Sequence, residues 1–358
     1  MFRTAKFAAA DASMRAGLSR LLPTAAWSEI VGCSSLEQIS AVLVRHETYR
    51  YLGLKRGQIS LEPFERSLRR RLAEWVRLPN KFLNGPVRRL VEWRWRRFEI
   101  DNLIVILRGV HRGASATRIQ NLMPPLDSLS PLDWPALSSV SSPSALIERL
   151  SRSYRGEVYG NFLRNALNEY ERTGRLFALE TALYLAYYRV LVRSIRRLGG
   201  AEQRSARDLI GTMIDTQMVL SAYRYRTYFN FEQEEILSYT ISHGVRVGPE
   251  IIQSIAAGAP LLEIIHSIWD SDIPETEALA DRPLRETLVP LEFMFRRYIH
   301  GKAVTAVSGN GSGLAGILGY DRLLQDEVDD LIALVECTSA RVPPEERFER
   351  VISRERLS

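Results

Sequence analysis

One spacing constrains the fold of this 358-residue chain more than any other feature: Asp101, Asp215 and Asp329 stand 114 residues apart, and their flanks match without gaps. Ile100, Ile214 and Val328 come one place before each Asp, with Ile104, Met218 and Ile332 three places after it. Ile106, Leu220 and Leu334 follow at five places. A shared Asp alone carries little, but apolar columns in register around it predict three versions of one helix. A second carboxylate column, Glu65, Glu180 and Glu292, recurs at intervals of 115 and 112. Carboxylates repeated in this way read as helix-packing or capping groups rather than as one active site. Similar helical units stacked together make a surface for contact.

The rest of the chain agrees with helices. No proline lies between Pro143 and Pro249, which permits long helices because an interior proline costs ~3 kcal/mol. Phe177, Leu179, Leu183, Ala186, Tyr187, Val190, Leu191 and Ser194 trace a stripe at spacings near three and four. Arg193, Arg196 and Arg197 then complement the dipole of the last turn, and Gly199-Gly200 supplies a stop. Only residues 302–307 alternate like a strand. A Pro/Ser-rich connector at 124–143 and a turn-rich stretch at 244–249 punctuate the chain. The expected fold is all-α, in three similar helical units over 1–115, 116–228 and 229–358.

Bulk properties narrow the classes. A hydrophobic content of 46% with 25% charged residues fits a globular rather than a disordered chain. The net charge of +6 favours acidic partners: nucleic acid, anionic lipid or an acidic protein face. Cys33 and Cys337 offer neither a disulfide framework nor zinc spacing, so a reducing cytoplasm is expected. Arg3 and Lys6 precede an alanine run too short for a signal peptide's apolar core. The best membrane-span candidate, 176–192, is broken by Glu180 and Arg189. Work at a membrane would be done from its cytoplasmic surface.

The segments that carry the repeat resemble the family that includes the C subunit of A-type ATP synthases and the d subunit of vacuolar-type ATPases. Phe98-Glu99-Ile100-Asp101-Asn102-Leu103, followed by Ile106-Leu107-Arg108, is similar to the family's first-repeat helix. Ile214-Asp215 with Arg224 and Arg226 resembles the second, and Leu179-Glu180 with Leu183 and Tyr187-Tyr188 the long middle helix. Trp27 through Tyr49-Arg50-Tyr51 matches the N-terminal pattern. The chain departs from the family at Tyr184-Leu185, where an Asp-Arg pair is usual. It departs again at Leu324-Gln325 and Asp329-Asp330-Leu331-Ile332, where basic residues are lost. The resemblance implies a pseudo-threefold helical funnel that is a non-catalytic rotor part without a cofactor. Such a part would seat the D and F subunits of the central stalk, rest on the membrane proteolipid ring and transmit torque.

Candidate sites follow. Residues 66–98 hold eleven Lys/Arg against Glu74 and Glu92, interleaved with Trp75, Trp93 and Trp95. Arg69, Arg70, Arg88, Arg89, Arg94, Arg96 and Arg97 are expected to form a basic surface facing anionic lipid headgroups or acidic ring loops, with the tryptophans inward. The alternative is a basic helical scaffold for nucleic acid, although no recognisable binding module accompanies the charge and nucleic acid is not the expected partner. Residues 311–316 spell a dinucleotide fingerprint with Glu336 twenty places beyond. The fingerprint needs a parallel sheet around it, so a flexible loop before a helix is the simpler expectation. The five histidines are scattered, and none forms a pair at metal-ligand spacing. Glu232, Glu234 and Glu235 read as acids in a helix's first turn.

Overall fold

The alternation at 302–307 makes no strand; these residues end a 24-residue helix, Leu284–Val307. Ile299, Ala303 and Val307 recur at a spacing of four and are all buried, so the helical period outweighs six residues of apparent alternation. The computed structural model describes residues 2–50, 60–153, 156–241, 244–270, 272–273, 276–280, 282–308 and 311–353, and every regular element among them is helical. Tyr51, His243, Gly309 and Asn310 lie outside the described residues. Nine of the described helices have eleven or more residues. They are α1 (Phe2–Leu18), α2 (Leu61–Arg77), α3 (Gly85–Trp95), α4 (Arg97–His111), α5 (Glu157–Thr173), α6 (Phe177–Arg196), α7 (Thr212–Tyr228), α8 (Leu284–Val307) and α9 (Gly313–Ser339).

Local chemistry sets many of the ends. Ser35, Ser115 and Ser142 each accept a backbone N–H three residues on, satisfying a donor that has no partner inside the helix. Glu232 and Glu235 form a reciprocal capping box on Gln233–Ser238, the helix start that the acids there predict. Gly174, at φ +69°, takes the left-handed conformation that closes α5.

The repeat columns are the core-facing stripes of α4, α7 and α9. Ile100, Ile214 and Val328 are buried, as are Ile104, Met218 and Ile332, and Ile106, Leu220 and Leu334. The three segments then close on one another. Helices α3 and α4 pack on α6, α7 packs on α8, and α9 returns against α1 and α2. One buried apolar cluster runs through all of them, with Trp27, Leu103, Leu183, Tyr223, Phe295 and Leu331 among its members.

Gly316, the last glycine of the stretch at 311–316, and Gly319 one turn beyond it serve close packing. Helix α9 starts at Gly313, and a helix rather than a strand precedes the motif. A Cβ on Gly319 would lie 2.8 Å from the Ala303 carbonyl oxygen of α8, and one on Gly316 would lie 2.9 Å from Met14 Cε of α1. These glycines let α8 and α1 approach α9; no sheet exists among the described residues to hold a dinucleotide.

Helix α9 also carries a row of buried carboxylates. Glu327 accepts the Leu22 amide at 2.8 Å and the Tyr49 hydroxyl at 2.7 Å. Asp330 accepts the amides of Ile352 and Ser353 at 3.0 and 2.7 Å and Arg296 at 3.3 Å. Residues 327–330 thus tie segments near 22–49 and at 352–353 to the core.

Burial pushes the Asp330 carboxyl from 3.8 up to about 6, against the pull of the Ser353 amide and Arg296. Between those values the native state holds a proton that the unfolded chain has released, so stability falls as pH rises. The shift corresponds to about 3 kcal/mol. Urea melts from about pH 4 to 7 should show wild type losing that much relative to Asp330→Asn, whose side chain has no proton to release. Parallel profiles for the two proteins would contradict this.

Candidate interaction surface

The three aspartates lie in α4, α7 and α9, near the starts of the first two helices and past the middle of the third, and they make different bonds. Asp101 is half-buried, accepts Arg97 at 2.8 Å and receives the Tyr184 hydroxyl from α6 at 3.4 Å. Asp215 is fully buried and takes the amides of Val245, Arg246 and Val247 at 2.8, 2.8 and 3.3 Å, so it organises the turn at 244–249. Asp329 accepts the Gln325 side-chain amide at 3.3 Å. Burial raises its pKa, with Arg296, Arg322 and Arg69 opposing the rise.

The glutamate column makes contacts between segments. Arg108, seven places after Asp101, grips Glu180 of the next segment with two bonds of 2.7 Å. Arg224, nine places after Asp215, pairs with Glu292 of the segment after that. The matching places after Asp329 hold Glu336 and Thr338, and Glu65 instead accepts Arg69 of its own helix at 2.8 Å. The third interface therefore lacks this clasp. Arg108 is 55% exposed, so solvent screens the pair. An Arg108→Ala/Glu180→Ala double-mutant cycle should give a coupling of about 0.5–1 kcal/mol at low salt that fades by 1 M salt. A coupling that ignores salt would contradict this account.

The structure redistributes the basic stretch. Arg94 and Arg96 do not join an outer surface. The Arg94 side chain is 10% exposed and reaches Asp321 on α9 at 2.8 Å. Arg96 turns to Glu99 and Glu92 and lies over the Trp93 ring. The amphipathic period that faces tryptophans inward brings these arginines to the boundary between segments, where acids from neighbouring turns and helices meet them. Arg97 pairs with Asp101 and stacks on Tyr184, while Arg69 and Arg70 pair with Glu65 and Glu74 one turn away. Trp95 is buried, and Trp75 and Trp93 pack against the core.

What stays open is one end of the stretch. Lys81, Arg88 and Arg89 are exposed, and among the described residues no acid lies within salt-bridge distance of them. Between them the turn Pro79–Phe82 leads through Gly85, at φ +57°, into α3 and leaves Phe82 50% exposed. Lys81 and Arg88 border a cleft of about 510 Å³ whose inner wall carries Arg77, Trp95 and the carboxylates of Glu74, Glu92 and Glu99, which pair with Arg70, Arg71 and Arg96. The exposed Phe82 had no signal in the sequence, because it and the buried Leu83 stand as an apolar pair between Lys81 and Asn84 with nothing to tell them apart. A second cleft, of about 320 Å³, lies between α6 and α7 and is lined by Arg97, Glu180, Tyr184, Tyr188, Arg224 and Phe229. Among the described residues no group of His, Cys, Asp and Glu has the arrangement of a metal site. Cys33 and Cys337 are free and buried. No helix of the described residues is long and apolar enough to cross a membrane.

Helices packed on one buried core, with arginine–carboxylate pairs between distant helices and an open basic end, define an all-α protein. The ATP synthase (C/AC39) subunit family matches residues 10–349, and the chain belongs to that family. It is 20% identical to the C subunit of the A-type ATP synthase of Methanocaldococcus jannaschii, over 98% of this chain and 87% of that one. It is 22% identical to the C subunit of the A-type ATP synthase of Methanothermobacter thermautotrophicus, over 91% and 82% of the two chains. Similarity to the C subunit of the V-type ATP synthase of Deinococcus radiodurans is 28% over 36% of each chain.

Proposed function

We propose that this chain is the rotor subunit of an A/V-type rotary ATPase that joins the central stalk to the membrane proteolipid ring. The observation that carries the reading is family membership across nearly the whole chain, alongside relatives named as the C subunits of A-type ATP synthases. The packing suits the task. Torque must pass through a body without being absorbed, and close-packed cores transmit strain. Ion pairs such as Arg94–Asp321 and Arg108–Glu180 tie one helical segment to another. In this reading the protein is peripheral on the cytoplasmic face, catalyses nothing itself, and meets the D and F subunits of the stalk on one side and the ring on the other. The units 1–115, 116–228 and 229–358 serve as three walls of a funnel, and the carboxylates at 101, 215 and 329 are structural. Co-purification tests the proposal: tagged full-length protein should capture the stalk subunits and, separately, a detergent-solubilised proteolipid ring. Capture of neither defeats it.

A further inference from the structure

We infer that the turn Pro79–Phe82 and the first turns of α3 form an anchor for an anionic bilayer surface. The cations of α2 to α4 differ in their partners, Arg66 being half-buried and Arg77 donating to the Leu129 carbonyl oxygen. Arg69, Arg70, Arg71, Arg94, Arg96 and Arg97 each hold a carboxylate. Lys81, Arg88 and Arg89 hold none among the described residues, and all three are exposed, in the turn before α3 and in its first turns. The carboxylates lining the cleft beside Lys81 and Arg88 are taken up by Arg70, Arg71 and Arg96, so these three cations are open to a partner.

The aromatic ring decides which partner. Phe82, 50% exposed, is next to Lys81 and stacks on no other ring among the described residues. A bare apolar ring beside unpaired cations suits a layered target, with negative charge at the surface and hydrocarbon a few ångströms beneath it. An anionic bilayer has that order. Local structure presents the ring: Pro79 opens the short helical turn, and the left-handed Gly85 turns the chain back into α3. Arg88 and Arg89 then follow within the first turns of α3, and Arg88 shares a cleft with Lys81. The inference does not rest on the rotor reading, because vesicle binding needs neither stalk nor ring.

The test is sedimentation of the full chain with vesicles of phosphatidylcholine alone and of phosphatidylcholine and phosphatidylglycerol in equal parts. Wild type should sediment with the mixed vesicles and not with the neutral ones. Each neutralised cation should weaken partitioning about fivefold, so K81A/R88A/R89A should lose it on the order of a hundredfold. Phe82→Ser should weaken it on the order of tenfold and leave its salt dependence unchanged, because the ring contributes through apolar burial. The control is R193A/R196A/R197A, which makes the same change in net charge at the exposed end of α6. Little loss in the control supports the anchor, and equal loss would mean that binding follows overall charge and would overturn it. Failure of wild type to bind mixed vesicles overturns it as well. So does binding to a delipidated proteolipid ring that disappears in K81A/R88A/R89A while vesicle binding is kept, since that assigns the surface to a protein partner. Unchanged melting curves for the variants show that they are folded.

Discussion

Arg94→Glu should destabilise the fold by about 3–5 kcal/mol, a large part of the 5–15 kcal/mol that holds a typical chain together. The guanidinium reaches Asp321 on α9 through two bonds of 3.0 and 2.8 Å and Tyr187 on α6 at 3.3 Å. It thus joins all three segments. Both partners of the ion pair are about nine-tenths buried, so reversing one charge leaves two carboxylates facing each other away from water. The pairing holds the arginine charged, well above its ordinary range, against the opposing cost of burial. Arg88→Glu and Arg89→Glu make the same chemical change at exposed, unpaired sites and should move stability by no more than about 0.5 kcal/mol. Urea denaturation followed by circular dichroism separates the two cases. If Arg94→Glu melted like wild type, the tie between segments would carry no energy and the account would fail.

Asp326→Leu should cost a similar amount, about 3–5 kcal/mol, and this loss should be largely recoverable. Asp326 is wholly buried and accepts His300 Nδ1 at 2.8 Å together with the guanidinium of Arg322. His300 Nε2 and Arg322 Nε have no partner of their own among the described residues, so Asp326 is the main anchor for both groups. Removing one member of a buried charged cluster leaves the others unpaired, whereas replacing the cluster with apolar groups of similar volume is often neutral. The triple variant His300→Phe, Arg322→Met, Asp326→Leu should therefore recover most of the stability that Asp326→Leu loses. A triple variant weaker than the single one would show that the charges themselves stabilise α8 against α9. Arg322 and His300 hold the Asp326 carboxyl down at about 2, from an ordinary 3.8. A depressed carboxylate contributes its stability above the unfolded value and loses it as pH falls through the folded one. The contribution is accordingly complete at neutral pH and fades only between about pH 4 and 2.

The helices themselves were legible because their signals are local. Serine caps, the Glu232–Glu235 box and apolar columns three and four residues apart act within one or two turns. The basic surface was legible only in part. Counting arginines located a charged stretch, but Arg94 and Arg88 look alike in sequence, and their environments are set by distant residues. The partner of Arg94 lies 227 positions away. The strand-like reading of 302–307 failed for a related reason: six residues satisfy both a twofold and a helical period, and burial against α9 selects the latter. The glycines at 311–316 read as a loop before a helix, and a helix does start at Gly313; that Gly316 also admits Met14 of α1 could not be read from the sequence, because glycines that admit a phosphate and glycines that admit a neighbouring helix are the same residue type.

Asp101, Asp215 and Asp329 show where sequence and tertiary structure divide the work. Periodicity alone was enough to predict a buried stripe on each of three helices, and all nine flanking positions are buried. What each carboxylate does depends on packing: pair with Arg97 and Tyr184, gather the amides of 245–247, or sit among the arginines around α9. A hydrophobic stripe is indifferent to which apolar surface covers it, so periodicity suffices to specify it. A buried charge requires a particular partner at bonding distance, and the packing of the three segments supplies that partner.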